Sequence, residues 1–242
     1  MTRVLQVSDP ATVLEAAAAL ADGAVVALPT DTVYGLAVDL TLPEAVERLF
    51  ACKGRPADVP VPILVAGRDQ VALVCGELEE AARAMADRFW PGPLTLVVPR
   101  RPGFSVDLGG PDSAHQTVGV RRPDHPVVVA LCELLGPLAV SSANRHGATP
   151  ATTATEVVRA FIGSDQPTVI LDGGTCDGVP STVVECRGPV SRCLREGALP
   201  WSVLYDPDDL DDPDGIGQPG AVPGRGVDGA GPGGGHLGSE AR

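Results

Sequence analysis

The chain has 242 residues, 44% apolar and only 3% aromatic, so its core must be packed from Val, Leu and Ala rather than rings. A formal charge of −13 excludes a protein that coats nucleic acid by global basicity, although a local basic cleft is compatible with it. No run of about 18 apolar residues is present, so no membrane-spanning helix and no membrane partner is expected.

"SDPATVLEAAAALADG" predicts a first helix, with Ser8 or Asp9 as cap, Pro10 in the first turn and Gly23 as its end. "AVVALPT" (24–30) reads as a buried strand. "TLPEAVERLFACKG" predicts a second helix, opened by a Thr41–Glu44 capping box with Pro43 in the first turn and ending near Lys53–Gly54. Strand-like runs follow at 62–66, 94–99, 117–121, 138–142, 168–172 and 181–186, and helical patterns at 77–89, 125–135 and 153–162. Strands and helices mix without strict alternation, which predicts an α/β fold with a mixed sheet flanked by helices.

Composition changes after Tyr205. Residues 206–242 hold eight acidic and two basic groups, so −6 of the charge lies there and −7 in residues 1–205. An acidic run gives way to a Gly/Pro-rich stretch with almost no large apolar residues. That stretch cannot offset its ordering entropy, so 1–205 reads as the folded domain and 206–242 as a disordered tail. The tail's G-x-G-x-x-G at Gly215, Gly217 and Gly220 lacks the flanking strand and helix of a dinucleotide site.

The six cysteines form no CxxC pair and no Cys/His cluster, so neither a structural zinc nor any other protein-held metal is expected. The opening "MTRVLQVSDP" has no apolar signal segment, so free thiols in a reducing, cytoplasmic compartment are expected.

Lys53 is the only lysine, against seventeen arginines. It stands in "KGRP", two residues before Arg55, where a compact ammonium and a planar guanidinium can converge on one anion. The alternative is a solvated helix end whose cations favour the dipole. Other segments put short polar side chains at strand ends, where open α/β sheets hold ligands. In "LPTDTVYGLAVD" (28–39) these are Thr30, Asp31 and Thr32, before a turn at Gly35. In "TVGVRRPDHP" (117–126), Arg121 suits a carboxylate clamp, Arg122 points to the other side by strand alternation, and His125 reads as a turn or cap residue. "VSSANRHGATPAT" offers Ser142 and Asn144 as donors to oxyanions, with His146 exposed and Thr152 or Thr153 capping the next helix. "LDGGTCDGVPSTVVEC" opens a strand at Ser181–Thr182, and "CLREG" carries Arg195. Walker A, G-x-S-x-G and H-E-x-x-H signatures are all absent.

Taken in order, P-T-D-T-V-Y-G-L-A, K-G-R-P, W-P-G-P-L-T (90–95), T-V-G-V-R-R-P-D-H-P, S-S-A-N and S-T-V-V resemble the YrdC/Sua5 family of L-threonylcarbamoyladenylate synthases, over about residues 10–200. The resemblance implies a YrdC-like twisted sheet, parallel and antiparallel, with a concave ligand-binding face. It implies a nucleotidyltransferase that forms threonylcarbamoyl-AMP and pyrophosphate from L-threonine, bicarbonate and ATP with Mg²⁺. A downstream transferase complex then uses the product for t6A37 in tRNA. By motif matching, Lys53, Arg55, Ser142 and Asn144 would be catalytic and hold ATP, with Thr117 and Arg195 as further ATP contacts. Thr30, Thr32, Arg121 and Ser181 would bind threonine. Many relatives read N-P-L and then His where this chain has Val59-Pro60-Val61 and Leu64, with Pro62 extra. Its Asp31 replaces a commoner Glu, and the extra folded C-terminal domain of the longer Sua5 form is not expected. Two other readings stay open: a non-catalytic module of this fold that binds tRNA or double-stranded RNA, and a carbamoyl-transfer domain.

Overall fold

A computed structural model describes residues 2–54, 59–111, 116–163, 165–188 and 190–204. Arg55 and the 206–242 tail lie outside the described residues. The chain runs β1 (Arg3–Gln6), α1 (Ala11–Ala21), β2 (Val26–Leu28), β3 (Gly35–Asp39), α2 (Pro43–Lys53), β4 (Ile63–Leu64), α3 (Arg68–Val74) and α4 (Glu80–Phe89). It continues through β5 (Leu94–Pro99), β6 (Thr117–Arg121), α5 (Pro126–Leu135), β7 (Leu138–Ser142), α6 (Ala154–Ala160), β8 (Val169–Asp172), β9 (Thr182–Arg187), β10 (Val190–Arg195) and α7 (Trp201–Leu204).

The strands form one sheet in the order β1-β8-β2-β3-β7-β4-β6-β5-β9-β10. Parallel pairs such as β1–β8, β4–β6 and β5–β9 occur together with antiparallel pairs such as β3–β7, β5–β6 and β9–β10. The mixed α/β sheet expected from the sequence is therefore present. Side-chain alternation sends each strand into two cores. Leu36 and Val38 of β3 join Ala139 of β7 and Ile170 of β8 on one face, with α2, α4 and α6. Ala37, Leu138, Val140, Val169 and Leu171 face the other way, onto α1 and α5.

That second face is only half covered. Helices α1 and α5 pack on each other, and α1 also lies against β2, β3 and β8. Over β6, β5 and β9 the same pleat carries Gly119, Val97, Val183 and Glu185, all partly exposed, and no described helix covers them. The uncovered half of one sheet face is where the polar side chains gather.

Several local expectations need correction. The Thr41–Glu44 capping box does not form: Leu42 is the N-cap of α2, Thr41 turns back to Asp39 Oδ1, and Glu44 pairs with Arg48. Gly35 is not a turn residue but the first residue of β3, opposite Ser142 of β7. A Cβ there would meet Val140 Cγ1 at 2.5 Å, so close strand approach explains the glycine. The helix expected over 77–89 begins only at Glu80, and α3, β1, β10 and α7 were not predicted. Helices α3 and α7 are shorter than a helical window, and strands β1 and β10 mix Arg, Gln or Ser with their apolar residues without clean alternation. The end of α2 is as predicted: Gly54 takes the left-handed conformation that stops a helix, with φ 58°. Thr153 caps α6 through Glu156 N, as one of the two expected threonines.

Candidate active site

Four strand ends converge on the uncovered face. β6 delivers Arg121, the segment between β2 and β3 delivers Thr30, Asp31 and Thr32, and β9 and β10 bring Ser181 and Arg195 to its edge. Arg121 is buried and held from three sides. Its Nε donates to Gly92 O at 3.0 Å, Nη1 to Thr32 Oγ1 at 3.0 Å, and Nη2 to Asp31 Oδ1 at 2.5 Å. Burial pulls the Arg121 pKa down, against the opposing pull of Asp31. Asp31 Oδ2 is buried with no hydrogen-bond partner among the described residues.

Thr30 and Thr32 form a small fixed unit beneath this guanidinium. Thr30 Oγ1 donates to Val33 O at 2.7 Å and accepts from Thr32 N at 3.1 Å, while the two hydroxyl oxygens lie 3.0 Å apart. On the far side Ser181 Oγ sits 2.8 Å from Thr95 Oγ1, one strand across. Arg195 donates to Ser181 O at 2.8 Å through Nη2, and reaches Ser181 Oγ at 3.3 Å. Its pKa is pulled down too, first by loss of solvent and then by the neighbouring Arg121 cation. Two guanidiniums that repel each other across hydroxyls make an anion favourable between them.

Lys53 lies at the C-terminus of α2, yet it is 2% exposed, so it is no solvated helix-end charge. Its Nζ donates to the carbonyl of Ser142 and lies 3.4 Å from both Ser142 Oγ and Asn144 Oδ1. Ser142 Oγ donates to Asn144 Oδ1 at 2.6 Å, and Asn144 Nδ2 donates to Arg145 O and Ala148 O, each at 2.8 Å. The loop after β7 is clamped onto α2 by His146 N on Lys53 O at 3.1 Å. One ammonium thus organises a serine and an asparagine at a single strand end.

A cavity of about 200 Å³ joins these groups, with Thr30, Thr32, Arg121, Ser142, Ser181 and Arg195 in its wall. Lys53 and Asn144 adjoin it through Ser142. Thr117 is on the same pleat of β6 as Gly119 and Arg121, but at the strand's other end, roughly 13 Å from Arg121 along the chain. It does not line the cavity. The apolar wall includes Val59, Pro60, Pro62 and Leu64. Sequence reasoning passed over Thr95, which stands in the quoted W-P-G-P-L-T, and did not pair Asp31 with Arg121. A period-two reading of 94–99 would have put Thr95 on the face opposite Leu94 and Leu96.

The chain as a whole is similar to known proteins. The family model Sua5_yciO_yrdC, described as telomere recombination, matches residues 18–197. The chain belongs to the Sua5/YciO/YrdC family. A threonylcarbamoyl-AMP synthase of Pyrococcus abyssi is 43% identical over 188 residues, which is 76% of this chain and 54% of that protein. The Bacillus subtilis enzyme of the same name is 38% identical, over 82% of this chain and 57% of its own. The chain therefore spans little more than half the length of these two relatives. A putative threonylcarbamoyl-AMP synthase of Mycobacterium tuberculosis, 39% identical, is matched over 92% of its length. Among solved structures, P. abyssi Sua5 complexed with L-threonine aligns with a TM-score of 0.74 at 38% identity, over 83% of this chain and 58% of that one. E. coli YciO aligns with the same TM-score at 20% identity, a likeness of fold.

Proposed function

We propose that this family member joins L-threonine, bicarbonate and ATP into threonylcarbamoyl-AMP, releasing pyrophosphate. This adenylyl transfer would make it a nucleotidyltransferase. The observation that carries the reading is the pair Arg121 and Arg195 flanking a hydroxyl-lined cavity, with the Lys53–Ser142–Asn144 cluster beside it. Relatives named threonylcarbamoyl-AMP synthase, and a Sua5 structure holding L-threonine, support it.

In this reading threonine's amine and bicarbonate condense to an N-carboxylate with loss of water. One carboxylate oxygen then attacks the α-phosphorus, and the bond to the β-phosphate oxygen breaks. No strong side-chain base is required once the amine is carbamoylated. The demand is for alignment and for neutralisation of several anionic oxygens. Arg121 spends three of its five N–H groups on the protein and retains two for threonine's carboxylate. Ser181 and Thr32 would fix the amino-acid end. Lys53, Ser142 and Asn144, with Arg55 two residues after Lys53 in sequence, would hold carbamate and phosphate oxygens. Arg195 and Thr117 would extend the track toward the nucleotide, whose length suits the open pleat of β6.

The residues fit a Mg²⁺ carried in on the triphosphate rather than one caged by protein. Among the described residues no acidic side chain lines the cavity, and the orphaned Asp31 Oδ2 belongs to a carboxylate already neutralised by Arg121. When bound, the ion would supply charge neutralisation for the triphosphate, with Lys53, Ser142 and Asn144 holding oxygens beside it. The product would pass to a transferase that modifies A37 of tRNA. The test is incubation with ATP, threonine and bicarbonate while following pyrophosphate. Release that does not depend on threonine overturns the proposal.

A further inference from the structure

Arg122 follows Arg121 directly and emerges on the other side of the sheet. There it lines a second cavity, about 440 Å³, with Val71, Leu78, Ala86 and Trp90 of the α3–α4 layer. Val71 and Ala86 are buried, and Leu78 and Trp90 half-buried. The indole N–H of Trp90 is spent on Leu94 O at 2.7 Å, so the ring offers apolar surface rather than a donor. Arg122 differs from every arginine in the first cavity. Its Nε is buried, yet no acceptor reaches it among the described residues.

The rim does not supply that acceptor. Arg68 and Asp87 pair with each other across the mouth, linking α3 to α4. Arg83 and Glu77, of opposite sign, are exposed. The inner charge is therefore the guanidinium of Arg122, over an apolar floor. Nε is closed to water and so to a ligand, but the rest of the half-exposed guanidinium lines the cavity with no described side chain as partner, and its two Nη groups form a fork that matches two oxygens of a single oxyanion. The volume falls in the range of small-molecule sites, which combine apolar walls with few polar anchors.

We propose that this cavity binds a small organic oxyanion, a carboxylate or phosphate on an apolar body, with the oxyanion on Arg122 and the body against Val71, Leu78 and Trp90. The site is distinct from the substrate cavity, and its occupancy does not depend on the activity proposed above. The two are joined by backbone: Gly92 N donates to Arg122 O at 2.9 Å, and Gly92 O accepts from Arg121 Nε.

The chain has two tryptophans, so Trp201→Phe leaves Trp90 as sole reporter. This full-length variant is titrated with benzoate, phenyl phosphate and inorganic phosphate while Trp90 emission is followed. Benzoate or phenyl phosphate should give a saturable change, and the tighter of the two identifies the oxyanion. Arg122→Gln should weaken it about tenfold or more, the loss expected for a charge-assisted fork. Lys53→Ala should leave it intact. If Arg122→Gln does not fold, Arg122→Lys, which keeps the charge but not the fork, should show the same loss. No saturable change with either organic probe overturns the proposal. So does equal affinity after the Arg122 substitution, or inorganic phosphate binding as tightly as the organic anions.

Discussion

The cavity that holds Arg121 and the cavity that holds Arg122 are one peptide bond apart, and they treat the same side chain in opposite ways. Arg121 is fixed by a carbonyl, a hydroxyl and a carboxylate, and the hydroxyls around it are themselves paired. Arg122 has a buried Nε with no acceptor among the described residues. The first arrangement is what a reaction needs: donors held in place before the substrate arrives cost nothing to reorganise during the step. The second leaves the half-exposed guanidinium without a described side-chain partner. The difference follows from the fold, because only the Arg121 face borders the β2–β3 segment that carries Thr32 and Asp31.

The largest test of this contrast lies in the cluster that shares the first cavity. Lys53→Ala should lower threonine-dependent pyrophosphate release by roughly a hundredfold or more, the scale of losing one preorganised charge in phosphoryl-type transfer. Near-UV circular dichroism should stay unchanged. Turnover close to wild type would reduce Lys53 to a structural role. Next in size, Arg121→Ala should destabilise the fold by about 3 kcal/mol in urea titration, because it strands the Asp31 carboxylate in a buried place. Adding Asp31→Asn should return part of that loss. Arg122→Ala is the counterpart, with an expected change within about 0.5 kcal/mol, since no described partner is lost. A loss as large as that of Arg121→Ala would erase the contrast.

The smallest effect concerns pH. His125, the N-cap of α5, is half-buried with Nδ1 unpartnered among the described residues, and burial pulls its pKa below 6.5 against the weaker influence of Asp31 and Asp124. A lowered folded-state pKa means the unfolded chain takes up the proton first as pH falls. Stability should therefore decline as pH drops from about 6.5 toward the folded-state value, and His125→Gln should flatten that part of the profile. An unchanged slope in chemical denaturation would show that His125 contributes nothing to it.

Much of the molecule is legible in its sequence. Strands β5, β6 and β7 coincide with their predicted runs because each is an apolar stretch bounded by Gly, Pro or polar residues. Helix α2 ends where Lys53–Gly54 said it would. The capping box at Thr41 failed because Asp39, two residues back, offered a carboxylate acceptor at 2.8 Å for both Thr41 N and Oγ1. Strand β3 was hidden because "GLAVD" begins with a glycine, which reads as a turn until β7 is known to lie against it. No described helix is long and apolar enough to cross a bilayer. The six cysteines are all free thiols. Burial pushes Cys132 up to about 12, and Cys52 and Cys75 up to about 11.

Local chemistry along the chain was enough to specify most of the longer elements, the mixed sheet and most of the polar residues at strand ends. Those depend on side-chain period, turn residues and helix stops, all of which act within a few residues. What only the tertiary structure decided was pairing. It set Asp31 against Arg121 across 90 residues, Lys53 against Ser142 across 89, and Ser181 against Thr95 across 86. It also decided that of two adjacent arginines one would be enclosed and the other left open. Such contacts depend on strand order and on which half of a sheet face the helices leave uncovered, and no window of neighbouring residues carries that information.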